Sequence, residues 1–185
     1  MKTILVTGSR GFIGRNLCLA LRRSGSYNVL EFDLPQPEGD LAGLAAQADV
    51  VIHLAGVNRP KNELEFVEGN FDFTRRLCGM LSEAKRGAVL VLSSSIQAEL
   101  DNAYGKSKKL AEDAVLEYQA NSGAPVYIYR FPNVFGKWSR PNYNTVVATF
   151  CHSISRGLPV QISNRAKPLR FVYIDDVVRE LLEVA

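Results

Sequence analysis

Thr7-Gly8-Ser9-Arg10-Gly11-Phe12-Ile13-Gly14 sets the architecture of this chain. It follows the apolar run Thr3-Ile4-Leu5-Val6 and opens a segment in which Ile13, Leu17, Ala20 and Leu21 recur at helical spacing. A buried strand therefore hands over, through three glycines, to an amphipathic helix. In that context G-x-x-G-x-x-G predicts an anion cradle. Gly8 permits the tight turn, Gly11 lets backbone amides approach a pyrophosphate, and Gly14 lets the helix pack close to the sheet. The free N–H groups and dipole at the helix start favour negative charge there. A second strand, Val29–Phe32, ends at Asp33, roughly 20 residues on, where a carboxylate accepts hydrogen bonds from a ribose hydroxyl. The stretch predicts dinucleotide binding.

Outward from the loop, Val50–Leu54, Ala88–Leu92 and Val126–Tyr129 are further short apolar runs, with helical segments between them. Parallel strands need crossovers, and the crossovers bury both faces of the sheet, so the expected class is α/β: a Rossmann-like, doubly wound parallel sheet. Asn142 to Arg156 reads as another helix, and Leu169–Ile174 as a short strand before a helix begun by Asp175 or Asp176. That helix reaches Ala185 with no Gly, Asn or Pro terminator. Residues 1–185 are thus expected to form one nucleotide-binding domain cut at its C-terminal side, with about 131–185 contributing a partial substrate-binding region.

Composition excludes several functions. Of 185 residues, 46% are hydrophobic and 22% charged, an ordinary globular balance rather than a disordered one. Twenty-two Lys+Arg against 19 Asp+Glu leave a net charge of +3 with no dense basic run, which argues against nucleic acid. The N-terminus lacks a signal-peptide pattern, and no stretch reaches the ~18 apolar residues of a membrane span, so a cytoplasmic protein is expected. Cys18, Cys78 and Cys151 are odd in number, without metal-ligand spacing, and each lies among apolar neighbours as a small buried hydrophobe would. No metal is expected.

Tyr104 and Lys108, at i and i+4 near the start of a helix capped by Asp101 or Asn102, lie on one face. An ammonium within ~4–6 Å favours the phenolate and lowers a phenol pKa from ~10, which would make Tyr104 an acid–base group. Just upstream, the fourth strand runs into Ser93-Ser94-Ser95, at the carboxyl end where open α/β sheets hold ligands. His53 reads as a hydrogen-bonded core residue and receives no chemistry.

Gly8-x-x-Gly11-x-x-Gly14, Asp40-Leu41, His53-Leu54-Ala55-Gly56, Ser93–Ser95, Tyr104-x-x-x-Lys108, Arg130-Phe131-Pro132-Asn133-Val134-Phe135-Gly136 and Phe171–Asp176 together resemble the extended short-chain dehydrogenase/reductases, over the whole chain. The resemblance implies a nicotinamide cofactor and a nucleotide-sugar substrate, with Ser95 as catalytic serine, Tyr104 as acid–base and Lys108 as its partner on the nicotinamide ribose. It implies cofactor contacts at Gly8, Arg10, Gly11, Phe12, Ile13, Gly14, Asp33, Asp40, Leu41, Leu54, Ala55, Gly56, Ser93 and Phe131. Asp40-Leu41 would border the adenine. Asp33 favours NAD(H), whereas Arg10 favours the 2′-phosphate of NADP(H). His53–Pro60, Ser93–Ala98, Gly136-Lys137-Trp138 and Pro141–Asn144 more narrowly resemble the capsular-polysaccharide reductases of UDP-N-acetyl-L-fucosamine synthesis, which reduce a 4-keto sugar with NADPH.

On the substrate side, Ser94, Ser95 and Asn133 are candidate contacts, and Lys137 and Arg140 candidate partners for a sugar diphosphate, with Trp138 either stacking or capping the core. Ser95-Ile96-Gln97 lacks the acidic pair that a dehydratase needs. The leading expectation is reduction of a 4-keto nucleotide sugar. A 4-epimerase and, in another class, a non-catalytic dinucleotide sensor are the alternatives. A homodimer is the expected assembly.

Overall fold

The computed structural model describes every residue except Asn144, Ser163 and Lys167. Strands β1 (Lys2–Thr7), β2 (Tyr27–Phe32), β3 (Val50–His53), β4 (Val89–Ser95) and β5 (Val126–Phe131) form one parallel sheet in the order β2-β1-β3-β4-β5. The order reverses between β1 and β3, which opens a crevice beyond their carboxyl ends.

Strand alternation divides the interior in two. Leu5, Val51, Leu90 and Leu92 point to one face, where Leu41 and Ala45 of α2 (Glu38–Ala45), Leu77 and Leu81 of α4 (Phe73–Ala84), and Ala111, Val115 and Tyr118 of α5 (Ala103–Ser122) cover them. Ile4, Val6, Val50, Ile52 and Val91 point to the other, against Leu17 and Leu21 of α1 (Phe12–Ser24) and Ile174, Val177 and Leu181 of α7 (Ile174–Val184). A period of two on strands and of 3.6 on helices places these residues on facing surfaces. The doubly wound α/β class read from the sequence is what the chain adopts.

Several boundaries differ from expectation. β4 continues through the three serines, because Ser93, Ser94 and Ser95 pair with Tyr129, Arg130 and Phe131. Between β3 and α4 the chain forms a short turn of helix, α3 (Leu64–Phe66), and then a π-helical stretch, Val67–Asp72, which no periodicity announced. The helix expected from Asn142 starts later, as α6 (Val146–Ile154), with Thr145 Oγ1 accepting from the amide of Ala148 at 3.4 Å. Asn142 itself has φ +56° and lies in a turn. The last strand is β7 (Phe171–Tyr173), paired in parallel with β6 (Asn133–Phe135). Cys18 and Cys78 are buried, their thiols pushed up to about 12 by burial, but Cys151 is exposed, contrary to its apolar neighbourhood in sequence. No helix among the described residues is long and apolar enough to cross a membrane.

Candidate active site

The glycine loop follows β1 directly, and its backbone explains why glycine stands where it does. Gly8 has φ +68°, and a Cβ there would lie 2.6 Å from the amide nitrogen of Ala55. A Cβ on Gly14 would lie 2.2 Å from the carbonyl oxygen of Gly8. The loop therefore folds onto the end of β3 and onto the first turn of α1, leaving the amides at the helix start open to an anion. Gly11 is the N-cap residue of α1 and has no capping side chain. Asp33 clasps the outer edge of this loop: its Oδ2 accepts from the Arg10 amide at 2.7 Å and its Oδ1 from the Leu34 amide at 2.9 Å.

From the loop a cleft of about 560 Å³ runs across the sheet edge. Gly8, Arg10, Gly11, Phe12, Ile13 and Gly14 line one end. Leu54, Gly56, Ser93, Ser95, Tyr104, Lys108 and Phe131 line it further along, with Asn133 and Arg140, while Trp138 stands against Arg15 of α1. A groove of that volume, starting at glycines whose missing Cβ atoms make room for backbone amides, has the size of a ligand or cofactor site.

Tyr104 and Lys108 are brought into this cleft by the first two turns of α5, which Asn102 starts by accepting from the Gly105 amide at 2.8 Å. The Lys108 ammonium lies 6.0 Å from the Tyr104 ring centroid and donates to the Ser93 carbonyl at 3.1 Å. Burial lowers its pKa to about 8, against a smaller upward pull from Glu112. Tyr104 does not behave as the sequence implied. Burial raises its pKa, and the neighbouring Ser95 hydroxyl only partly offsets this. Ser95 Oγ also accepts from the Gln97 amide at 3.1 Å, at the start of the 3₁₀ turn Ile96–Glu99.

Five of the expected residues lie outside the cleft or turn away from it. Leu41 is 0% exposed in the core beneath α2, so it has no surface to offer an adenine. Asp40 is exposed in the first turn of α2 and outside the cleft lining, where it complements the helix dipole. Lys137 is likewise outside the cleft: its ammonium lies 4.1 Å from the Trp138 ring centroid, and its carbonyl accepts from Asn16 Nδ2 at 3.1 Å. Ser94 borders the cleft, but its hydroxyl points inward and donates to Glu112 Oε1 at 2.5 Å. Ala55 backs Gly8 rather than facing the groove. Asn133 remains at the cleft wall, with its side-chain amide donating to the Arg170 carbonyl at 3.0 Å. Trp138 is partly exposed at φ +70°, flanked by Arg15 at 4.8 Å as well as by Lys137, so it walls the cleft instead of capping the core. Asn144, quoted in the narrower resemblance, lies outside the described residues.

Sequence reasoning missed Asn70, which is buried in the π-helical stretch. Its Oδ1 accepts from the Val57 amide and its Nδ2 donates to the Val57 carbonyl, both at 2.9 Å, and the same Nδ2 donates to Ser107 Oγ at 2.9 Å. Ser107 Oγ in turn donates to the Tyr104 carbonyl at 2.8 Å, so Asn70 ties the loop after β3 to the helix that carries Tyr104. No motif surrounds Asn70 in sequence, and only its burial reveals it.

His53 occupies the core role expected of it. Thr74 Oγ1 donates to the Asn70 carbonyl at 2.6 Å, so it accepts the His53 Nε2 proton at 2.9 Å, which leaves Nδ1 to accept from Thr7 Oγ1 at 2.6 Å. Burial lowers the His53 pKa from 6.5 to about 3. Between those values the unfolded chain binds a proton that the folded chain refuses, so stability falls as pH drops through that window. Urea unfolding at pH 7 and pH 4 should show a loss on the order of a few kcal/mol from this residue, and His53→Asn should flatten the dependence. An equal slope in both proteins would contradict the assignment.

The profile of the NAD dependent epimerase/dehydratase family matches residues 4–185. The chain belongs to this family. A UDP-2-acetamido-2,6-beta-L-arabino-hexul-4-ose reductase of Pseudomonas aeruginosa is 50% identical over 181 residues, which cover 98% of this chain and 49% of that protein. The crystal structure of the capsular polysaccharide assembling protein CapF from Staphylococcus aureus superposes with TM-score 0.87 at 38% identity, covering 98% of this chain and 48% of that one. The chain thus spans about half the length of both relatives. A UDP-glucuronic acid 4-epimerase from Bacillus cereus, solved with NAD, shares the fold at TM-score 0.85 and 23% identity. The family is NAD dependent by its description, and among the described residues no group of three or more His, Cys, Asp or Glu is placed to hold a metal.

Proposed function

We propose that this chain forms the cofactor-binding and catalytic part of an NAD(P)H-dependent reductase acting on the 4-keto group of a UDP-linked deoxy amino sugar in surface-polysaccharide synthesis. The observation that carries the reading is the convergence of Ser95, Tyr104 and Lys108 on the cleft that starts at the glycine loop. The sugar class is supported by the 50% identity to the Pseudomonas aeruginosa reductase.

The nicotinamide cofactor, when bound, supplies the hydride. Gly8, Gly11 and Gly14 with the start of α1 would hold its pyrophosphate, and Lys108 its nicotinamide ribose. Ser95, which lines the cleft together with Tyr104, orients the carbonyl oxygen, and Tyr104 delivers the proton to it. A phenol whose pKa is raised keeps its proton at neutral pH, which is the form that a reduction consumes. Asn133 and Arg140 line the side of the cleft where the nucleotide sugar would lie.

The direct test is oxidation of NADPH or NADH by the 4-keto UDP-sugar, with the alcohol product identified by NMR. Cofactor binding without turnover would leave the sensor reading, and sugar interconversion without net cofactor oxidation would leave the epimerase. Because Lys108 titrates at about 8, its ammonium is present below that pH and lost above it, so kcat/KM should fall on an alkaline limb near pH 8. A profile flat to pH 10 would remove the Lys108 charge from the mechanism.

Cofactor choice rests on Asp33 and Arg10, opposed groups at one edge of the loop. Arg10→Ala should weaken NADPH by roughly tenfold and NADH by much less, the size of one lost charge-assisted contact. Equal weakening of both cofactors would take Arg10 off the 2′ position.

A further inference from the structure

Glu112 lies one helical turn beyond Lys108 and two beyond Tyr104 on α5, and its side chain is 2% exposed. A carboxylate that deep requires compensation, and its partners are specific. Oε1 accepts from Ser94 Oγ at 2.5 Å and from Arg130 Nε at 2.8 Å, while Oε2 accepts from Arg130 Nη2 at 2.6 Å. Arg130 then extends Nη1 to Glu99 Oε1 at 2.7 Å, at the last residue of the 3₁₀ turn Ile96–Glu99. Lys109 is a distant third partner at 3.9 Å and makes its close contact with Asp113.

The chain of charges grips Ser95 from both sides. Ser94 precedes it and is tied to Glu112, and the turn that follows it is tied through Glu99 to Arg130. Ser94 and Arg130 are register partners on β4 and β5. Burial alone would raise the Glu112 pKa, but the hydrogen bonds from Arg130 and Ser94 outweigh it and the carboxyl is held below its ordinary value. Neither Glu112 nor Arg130 lines the cleft. Stability gives little reason for the arrangement, since apolar residues of similar volume commonly replace buried ion pairs at no loss. An apolar pair would not fix the end of β4 against α5 along the helix axis, as a bidentate fork does.

We propose that Glu112 and Arg130 are positioning residues, which set the placement of Ser95 against Tyr104 in the cleft by locking the Ser94–Glu99 segment to the helix that carries Tyr104 and Lys108. The inference rests on the reading of Ser95 and Tyr104 as the reacting pair. Misplacing such a pair by about 1 Å costs on the order of 100-fold in rate.

The test uses the full chain with Glu112→Gln and Ser94→Ala, three readouts being taken on each. NADPH affinity is followed by nicotinamide fluorescence, kcat and KM are measured with the 4-keto UDP-sugar, and the Tyr104 Cζ signal is followed in ¹³C-tyrosine-labelled protein, assigned by its loss in Tyr104→Phe. Glu112→Gln should lower kcat by roughly 30–100-fold and Ser94→Ala by about 3–10-fold, with KM and NADPH affinity within about twofold. Both should shift the Tyr104 signal and its titration, which a loss of global stability alone would not do. If Glu112→Gln fails to fold, Ser94→Ala, which leaves the ion pair intact, carries the test. A folded variant with unchanged kcat or an unmoved Tyr104 signal overturns the proposal. Absence of turnover in the unaltered protein would instead overturn the reductase reading, and the Tyr104 signal would still test the positioning role.

Discussion

Tyr104→Phe is expected to lower turnover by about 10²–10⁴-fold while leaving cofactor affinity within about twofold. The phenol ring packs against Phe66 at a centroid distance of 5.5 Å, and phenylalanine keeps that contact. What is lost is the hydroxyl that, in the proposed reaction, donates the proton. Because burial raises the pKa of Tyr104, the unaltered enzyme should keep the donor form across the neutral range. Its alkaline limb should therefore be set by Lys108 at about 8 rather than by the phenol. Nicotinamide fluorescence and steady-state kinetics on both proteins decide the matter: equal activity would remove Tyr104 from the chemistry.

Gly14→Ala should be nearly as damaging, through binding. The added Cβ would stand 2.2 Å from the Gly8 carbonyl and 2.8 Å from the Ser9 Cα. Both are backbone atoms of the loop that has to cradle the pyrophosphate, and neither can rotate away as a side chain would. Gly8 is itself fixed, its amide donating to the Phe32 carbonyl at 2.9 Å. The loop or the helix has to shift, at a cost of about 1–3 kcal/mol in stability. The amides at the start of α1 would then no longer converge, and cofactor affinity should fall by at least tenfold, as the loss of one charge-assisted hydrogen bond implies. Tight NADPH or NADH binding by a folded Gly14→Ala protein would place the pyrophosphate elsewhere.

Much of this was legible in the chain because it depends on neighbours in sequence. The strand–glycine–helix unit is local: an apolar run, three glycines and an apolar stripe specify it within residues 3–21, and the parallel sheet follows because strands and helices alternate. Tyr104 and Lys108 share a face because four residues is about one helical turn. The same local reading could not place Leu41 in the core, since a motif position says nothing about which way α2 faces once it packs on the sheet. It could not show that the Lys137 ammonium lies over the ring of Trp138, its neighbour in sequence. For Ser94, strand alternation turns it inward while the resemblance spoke only of the serine cluster.

By itself, then, the sequence determined the α/β class, the glycine cradle and the pairing of Tyr104 with Lys108, all consequences of backbone periodicity over a few residues. Tertiary structure alone determined the charge states and the hidden scaffold. Tyr104 keeps its proton and His53 stays neutral because of how much water packing excludes from each. Asn70 and Glu112 gain their importance from partners 13 to 37 residues away. Desolvation and long-range hydrogen bonds are sums over surroundings assembled from distant parts of the chain, and no local pattern encodes them.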